Sequence, residues 1–307
     1  VTIIDFFSDH TFRTVLIGTV VVGVTAGALG CFTYLRKQTL IADVVSHSAL
    51  PGAMAFFLLA SVIHGINGRN LIGLAAGSLI TGSLAAFTTQ WLIAKTKLKP
   101  DAAMSVSLVA YFSVGMLLLN IITQGDFPEK GGIQNYLFGN ASTLTQSDLI
   151  ITAVITTIAL IGMLLFWKEL KLASFDINYA SASGFKRQLL DGLLFTTVVT
   201  AIVIGVKAVG LILMIAFVIS PAAAARQWTR SLRGMVILAA AIGGGSASLG
   251  SYLSVQYGNI PTGPVIVLIL FVVVLLSLFL APRRGLIAKL RGKRIQLANL
   301  ENEPVKR

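Results

Sequence analysis

Polar and charged positions fall in short islands along this chain, and the segments between them are almost wholly apolar. An apolar run of about 20 residues is long enough to cross a hydrocarbon core of about 30 Å as a helix. Reading the windows between charges predicts nine such helices, over 14–35, 40–64, 71–94, 102–122, 149–167, 189–206, 209–225, 235–255 and 262–281. Only Lys207 and Ala208 separate the sixth from the seventh, so these two form a tight turn or a re-entrant pair. In the second case the spans number eight. The fold class expected is an all-α polytopic membrane protein.

Two stretches are too polar to cross. The segment 123–147 carries Asp126, Glu129 and the run Asn135-Tyr136-Leu137-Phe138-Gly139, and reads as a short external helix or cap. The segment 168–186 holds Asp176, a natural N-cap, and Gly184, a natural helix stop, so a short helix is expected between them, the bland alternative being an ordinary connecting loop. Beyond Ala281 the chain turns at Pro282-Arg283-Arg284 into a basic tail. The division expected is a transmembrane domain over 1–285 and a basic, interfacial tail over 286–307. The first ten residues carry Asp5 and Asp9 but no Lys or Arg, unlike a cleavable leader, so the first apolar run is kept as a span.

Composition agrees with the pattern. Of 307 residues 55% are hydrophobic and 12% charged, with a mean hydropathy of +0.85, against about a quarter charged in soluble domains. The net charge of +12 does not point to nucleic acid, because little soluble surface exists to carry a basic patch. Its distribution instead sets orientation. With the N-terminus outside, the inner face receives Arg36, Lys37, Lys95, Lys97, Lys99, Lys168, Lys171, Lys186, Arg187, Arg226, Arg230, Arg233 and the tail; the outer face receives Arg13, Arg69, Lys130 and Lys207. Cytoplasmic loops collect Lys and Arg, so the expected topology is N-out, C-in. Cys31 is the single cysteine and lies in an apolar run, which excludes a disulfide framework or a cysteine zinc site.

Ionisable residues inside a span are costly and point to function. The second span contains Ile41-Ala42-Asp43-Val44-Val45-Ser46-His47-Ser48-Ala49-Leu50-Pro51-Gly52. Asp43 and His47 are four apart and share a helical face; counted from Lys37, His47 falls about 15 Å into the span, near its middle. Pro51 has no N–H, so the carbonyl of His47 loses its helical partner. Imidazole and carboxylate suit zinc, manganese and iron better than copper(I). A single span supplies too few side-chain ligands for a dedicated site, whereas a two-fold dimer supplies two Asp and two His. The bland alternative is that the two residues pair only with each other. His10, His64, Asp126 and Glu129 read as interfacial or solvated, and Asp191 as a partner for Arg187. No phosphate-binding loop is present, and Gly243-Gly244-Gly245 reads as close helix packing.

In this order the motifs resemble the permeases of the ABC-3 family of metal importers. The likeness is carried by Leu35-Arg36-Lys37 with Ile41-Ala42-Asp43 and Ser46 to Gly52, by Tyr136 to Gly139, and by Phe175-Asp176 with Ala180 and Gly184. Val209 to Leu213, Ser220 to Arg226, Gly250-Ser251-Tyr252 and Pro261 to Pro264 continue it. The resemblance implies a bacterial inner-membrane permease carrying manganese, zinc or iron(II), with Asp43 and His47 as pathway ligands and no permanently bound cofactor. It implies ATP on a separate cytoplasmic ATPase that docks at Asp176, Ala180 and Gly184, so this chain is no enzyme by itself. It also implies a second permease, either a copy or a sister chain, and an extracytoplasmic metal-binding protein. Membrane lipid is the remaining partner and nucleic acid is not one. The rival from another class is a secondary divalent-metal transporter that needs no ATPase.

Overall fold

The computed structural model describes residues 10–62, 70–127, 146–175, 197–203, 205–206, 209–257, 260–282 and 285. Among them regular structure is helical throughout: α1 (His10–Leu35), α2 (Ile41–Val62), α3 (Leu71–Lys95), α4 (Pro100–Gln124), α5 (Gln146–Leu165), α6 (Trp167–Phe175), α7 (Leu211–Trp228), α8 (Leu232–Tyr257) and α9 (Thr262–Leu280). A further helical stretch covers 197–203 and 205–206.

Seven of these helices are long and apolar enough to cross a membrane, and an eighth span is reached if α5 and α6, bent by 70° at their junction, count as one. Eight of the nine predicted segments therefore have a helix close to the predicted bounds. The remaining one, 189–206, lies partly outside the described residues. The break before α7 falls at Gly210, with φ of 89°, where a residue bearing a Cβ would be strained. The expected helix over Asp176–Gly184, the external motif Tyr136–Gly139 and the tail 286–307 lie outside the described residues. So do Glu129, Asp191 and His64. Asp126 is exposed just past α4.

α1 stands at the centre, packed most extensively on α8 and next on α7. Small residues permit this. A Cβ on Gly23 would stand 2.7 Å from the carbonyl oxygen of Gly243, and one on Gly27 2.7 Å from that of Ala239. A Cβ on Gly30 would overlap the Val218 carbonyl. Gly243 and Gly244 both face α1, as close packing requires, but Gly245 faces open space. Thr19 and Ser251 add a hydroxyl pair at 3.0 Å across the same interface. Where lipid supplies no hydrophobic drive between helices, such backbone approach and polar contact hold them together.

Cys31 is fully buried here, with its thiol near the carbonyls of Gly27 and Met235 at 3.5 and 3.6 Å. It is a small packing residue, as its place in an apolar run suggested. α4 and α9 lie at the periphery, with only 22% and 17% of their apolar windows buried within the chain.

Candidate metal-translocation site

The site begins at a chain reversal. Just past α1, Lys37 stands in the left-handed region, φ 57°. The Lys37 N–H bonds the Tyr34 carbonyl at 3.1 Å and the Gln38 N–H bonds the Thr33 carbonyl at 2.9 Å. This is the Schellman closure, with lysine where glycine is usual. The Ile41 N–H then reaches the Gln38 carbonyl at 3.1 Å, and α2 starts.

That start corrects the expected depth of His47. Counting rise from Lys37 treated the reversal as helix; from Ile41, His47 lies about 9 Å along a helix of 22 residues. Asp43 occupies the first turn of α2, where the positive end of the helix dipole favours a carboxylate. The pair thus sits in the first third of α2.

The predicted face is formed. His47 Nε2 stands 3.2 Å from Asp43 Oδ1, and the two side chains are 25% and 29% exposed. Residues on either side are buried: Ala42, Val44, Val45, Ser46 and Ser48. Both groups able to bind a cation are thus partly exposed on a turn of α2 whose intervening residues are buried. The His47 ring meets Phe112 of α4 edge to face, centroids 4.8 Å apart and planes at 78°. Sequence reasoning missed Phe112, because nothing in the spacing of α4 says which aromatic faces α2.

Above the pair α2 runs through Pro51 as one helix. Two hydroxyls of α3 bond its carbonyls there, Thr81 to Ser48 at 2.6 Å and Ser78 to Ala49 at 3.0 Å. Gly52 and Gly77 allow the approach, since a Cβ on either would strike the other's backbone. The carbonyls of Ser48 and Ala49, next in line after that of His47, are thus engaged by a neighbouring helix. Among the described residues no cluster of three or more His, Cys, Asp or Glu side chains is placed to hold a metal. One chain alone offers the Asp43 and His47 pair.

The model for the ABC 3 transport family matches residues 8–281. The chain belongs to the ABC 3 transport family. Relatives within it include the "Zinc transport system membrane protein TroC" of Treponema pallidum, 38% identical over 96% of this chain and 97% of that one. The "Manganese transport system membrane protein MntC" of Bacillus subtilis is 39% identical over 90% of this chain, spanning 62% of that longer relative. Among solved structures, a chain of "PsaBC from Streptococcus pneumoniae in complex with Fab" superposes with a TM-score of 0.80 at 29% identity, covering 94% of this chain and 98% of that one. Like other ABC 3 members this is a multi-pass membrane protein with an ABC permease fold. The expected family is thereby borne out.

Within that ABC 3 frame, α6 was not anticipated. The segment 168–186 was expected to become helical only from Asp176, but helix already runs from Trp167 to Phe175. Its signal is weak: Leu170 and Ala173, three apart, are its buried positions.

Proposed function

We propose that this chain is the membrane-spanning permease subunit of an ATP-driven importer for a divalent transition metal, manganese or zinc, with iron(II) a further candidate. The observation that carries the reading is the partly open Asp43–His47 pair, 3.2 Å apart inside a span of an ABC 3 chain. Relatives named for zinc and for manganese transport support the substrate class.

In this reading the orientation is N-out, C-in, in a bacterial inner membrane. A second permease, a copy or a sister chain, brings its own pair, and two carboxylates balance a divalent charge. Asp43 and His47 hold the cation in transit only. A sparse ligand set releases what it binds, as conduction requires. ATP is hydrolysed on a separate cytoplasmic chain docked at the segment bearing Asp176, Ala180 and Gly184, and an extracytoplasmic protein delivers the metal. Nine spans complete the topology.

The test is ATP-dependent uptake of radioactive manganese and zinc into proteoliposomes holding the whole complex. Wild type should take up at least one metal, in competition with the other, only when ATP is supplied to the ATPase. Uptake driven by an ion gradient without ATP would instead establish a secondary transporter.

A further inference from the structure

α6 is held by α1 at both ends. At its start Trp167 packs edge-on against Phe32, with ring centroids 5.8 Å apart and planes at 84°. Near its end the Arg36 guanidinium donates from Nε and Nη2 to the carbonyl of Ala173, each at 3.3 Å. Phe32 and Arg36 are one helical turn apart and present a single face. Between these contacts α6 buries Leu170 and Ala173. The last carbonyls of a helix have no internal partner, and a cation there meets both the orphaned oxygen and the negative end of the dipole. Because α6 departs from α5 by 70°, it does not simply continue α5, and α1 supplies the grip that fixes its end.

Arg36 also stands directly before the reversal at Lys37 that opens α2, seven positions ahead of Asp43. On the other side, the chain leaves α6 at Phe175 straight into Asp176. One side chain therefore joins α6, which precedes 176–184 in sequence, to the turn that leads into α2 and its candidate ligands.

We propose that Arg36 is a positioning residue for transport, which passes displacement of the ATPase-docking segment through α6 to the α1–α2 turn and so to Asp43 and His47. The inference rests on the reading of that segment and that pair given above. A planar fork on a single carbonyl resists rotation of α6, whereas an ammonium would supply one point contact.

The experiment measures manganese uptake and phosphate release together in proteoliposomes of the full complex, and reads metal carried per ATP. Arg36→Ala should assemble and hydrolyse ATP while that ratio falls about tenfold, the scale of a lost charge-assisted hydrogen bond. Arg36→Lys should restore an intermediate ratio. A purely structural role would lower the amount of complex and leave the ratio unchanged. A wild-type ratio in Arg36→Ala overturns the proposal. Should that variant fail to assemble, Arg36→Lys decides: a lowered ratio supports the linkage and a wild-type ratio overturns it. Asp43→Ala in the same series tests the underlying reading separately. If it transports normally the ligand assignment falls, while the Arg36 ratio is still judged on its own value.

Discussion

Gly23 and Gly243 meet backbone to backbone, so that a Cβ on either would be driven against the other's carbonyl. This contact lies in the interface between α1 and α8, the most extensive that α1 makes among the described residues.

Gly243→Ala should therefore force the two helices apart. Overpacking of this kind costs about 1–3 kcal/mol, read as a lowered midpoint of thermal unfolding in detergent. Gly245→Ala is the control, because its new methyl meets open space; it should be neutral or slightly stabilising by helix propensity. Equal losses from both would contradict the packing described.

Asp43→Ala and His47→Ala should each lower metal uptake at least about tenfold, the lower end of the effect of disturbing a metal site. ATP hydrolysis and assembly should persist. Asp43→Asn keeps shape but removes the charge, and should fail as well. Retained uptake in Asp43→Asn would mean that the carboxylate only props the imidazole.

Thr81→Val removes the hydroxyl that bonds the Ser48 carbonyl, and Ser78→Ala the one on Ala49. Each should cost about 0.5–1.5 kcal/mol. Their combination should exceed the sum if the two hydroxyls share the support of α2 beside Pro51. Unfolding of the single and double variants in one detergent gives that coupling directly.

Lys37→Gly should raise stability by up to about 1 kcal/mol, since a left-handed residue with a Cβ is strained and glycine is not. Lys37→Val, β-branched at the same φ of 57°, should do the opposite. If glycine fails to stabilise, the reversal before α2 is not held in this conformation.

The long helices were legible because membrane burial writes itself as uninterrupted apolar runs, and their ends fall near charges or turn residues. The Asp43–His47 face was legible from spacing alone, since four residues make one turn wherever the helix begins. Its depth was not, because the rise counted from Lys37 runs across a reversal that is not helix, although the end of the first span at 35 and the start of the second near 40 were both legible. α6 was hidden for another reason: Lys168, Glu169 and Lys171 resemble a loop when read singly. Arg36 looked like ordinary inner-face charge, and only tertiary structure brings it to a carbonyl 137 positions away.

Cys31 has a practical side. It is the only thiol in the chain and is wholly enclosed between α1 and α8, where labelling reagents have no path to it. The wild-type sequence should thus serve as a silent background for probe chemistry. A single cysteine introduced on α6 or at the mouth of the Asp43–His47 opening would be the one addressable handle, and spectroscopic reporters could follow either element through a transport cycle without first rebuilding the core.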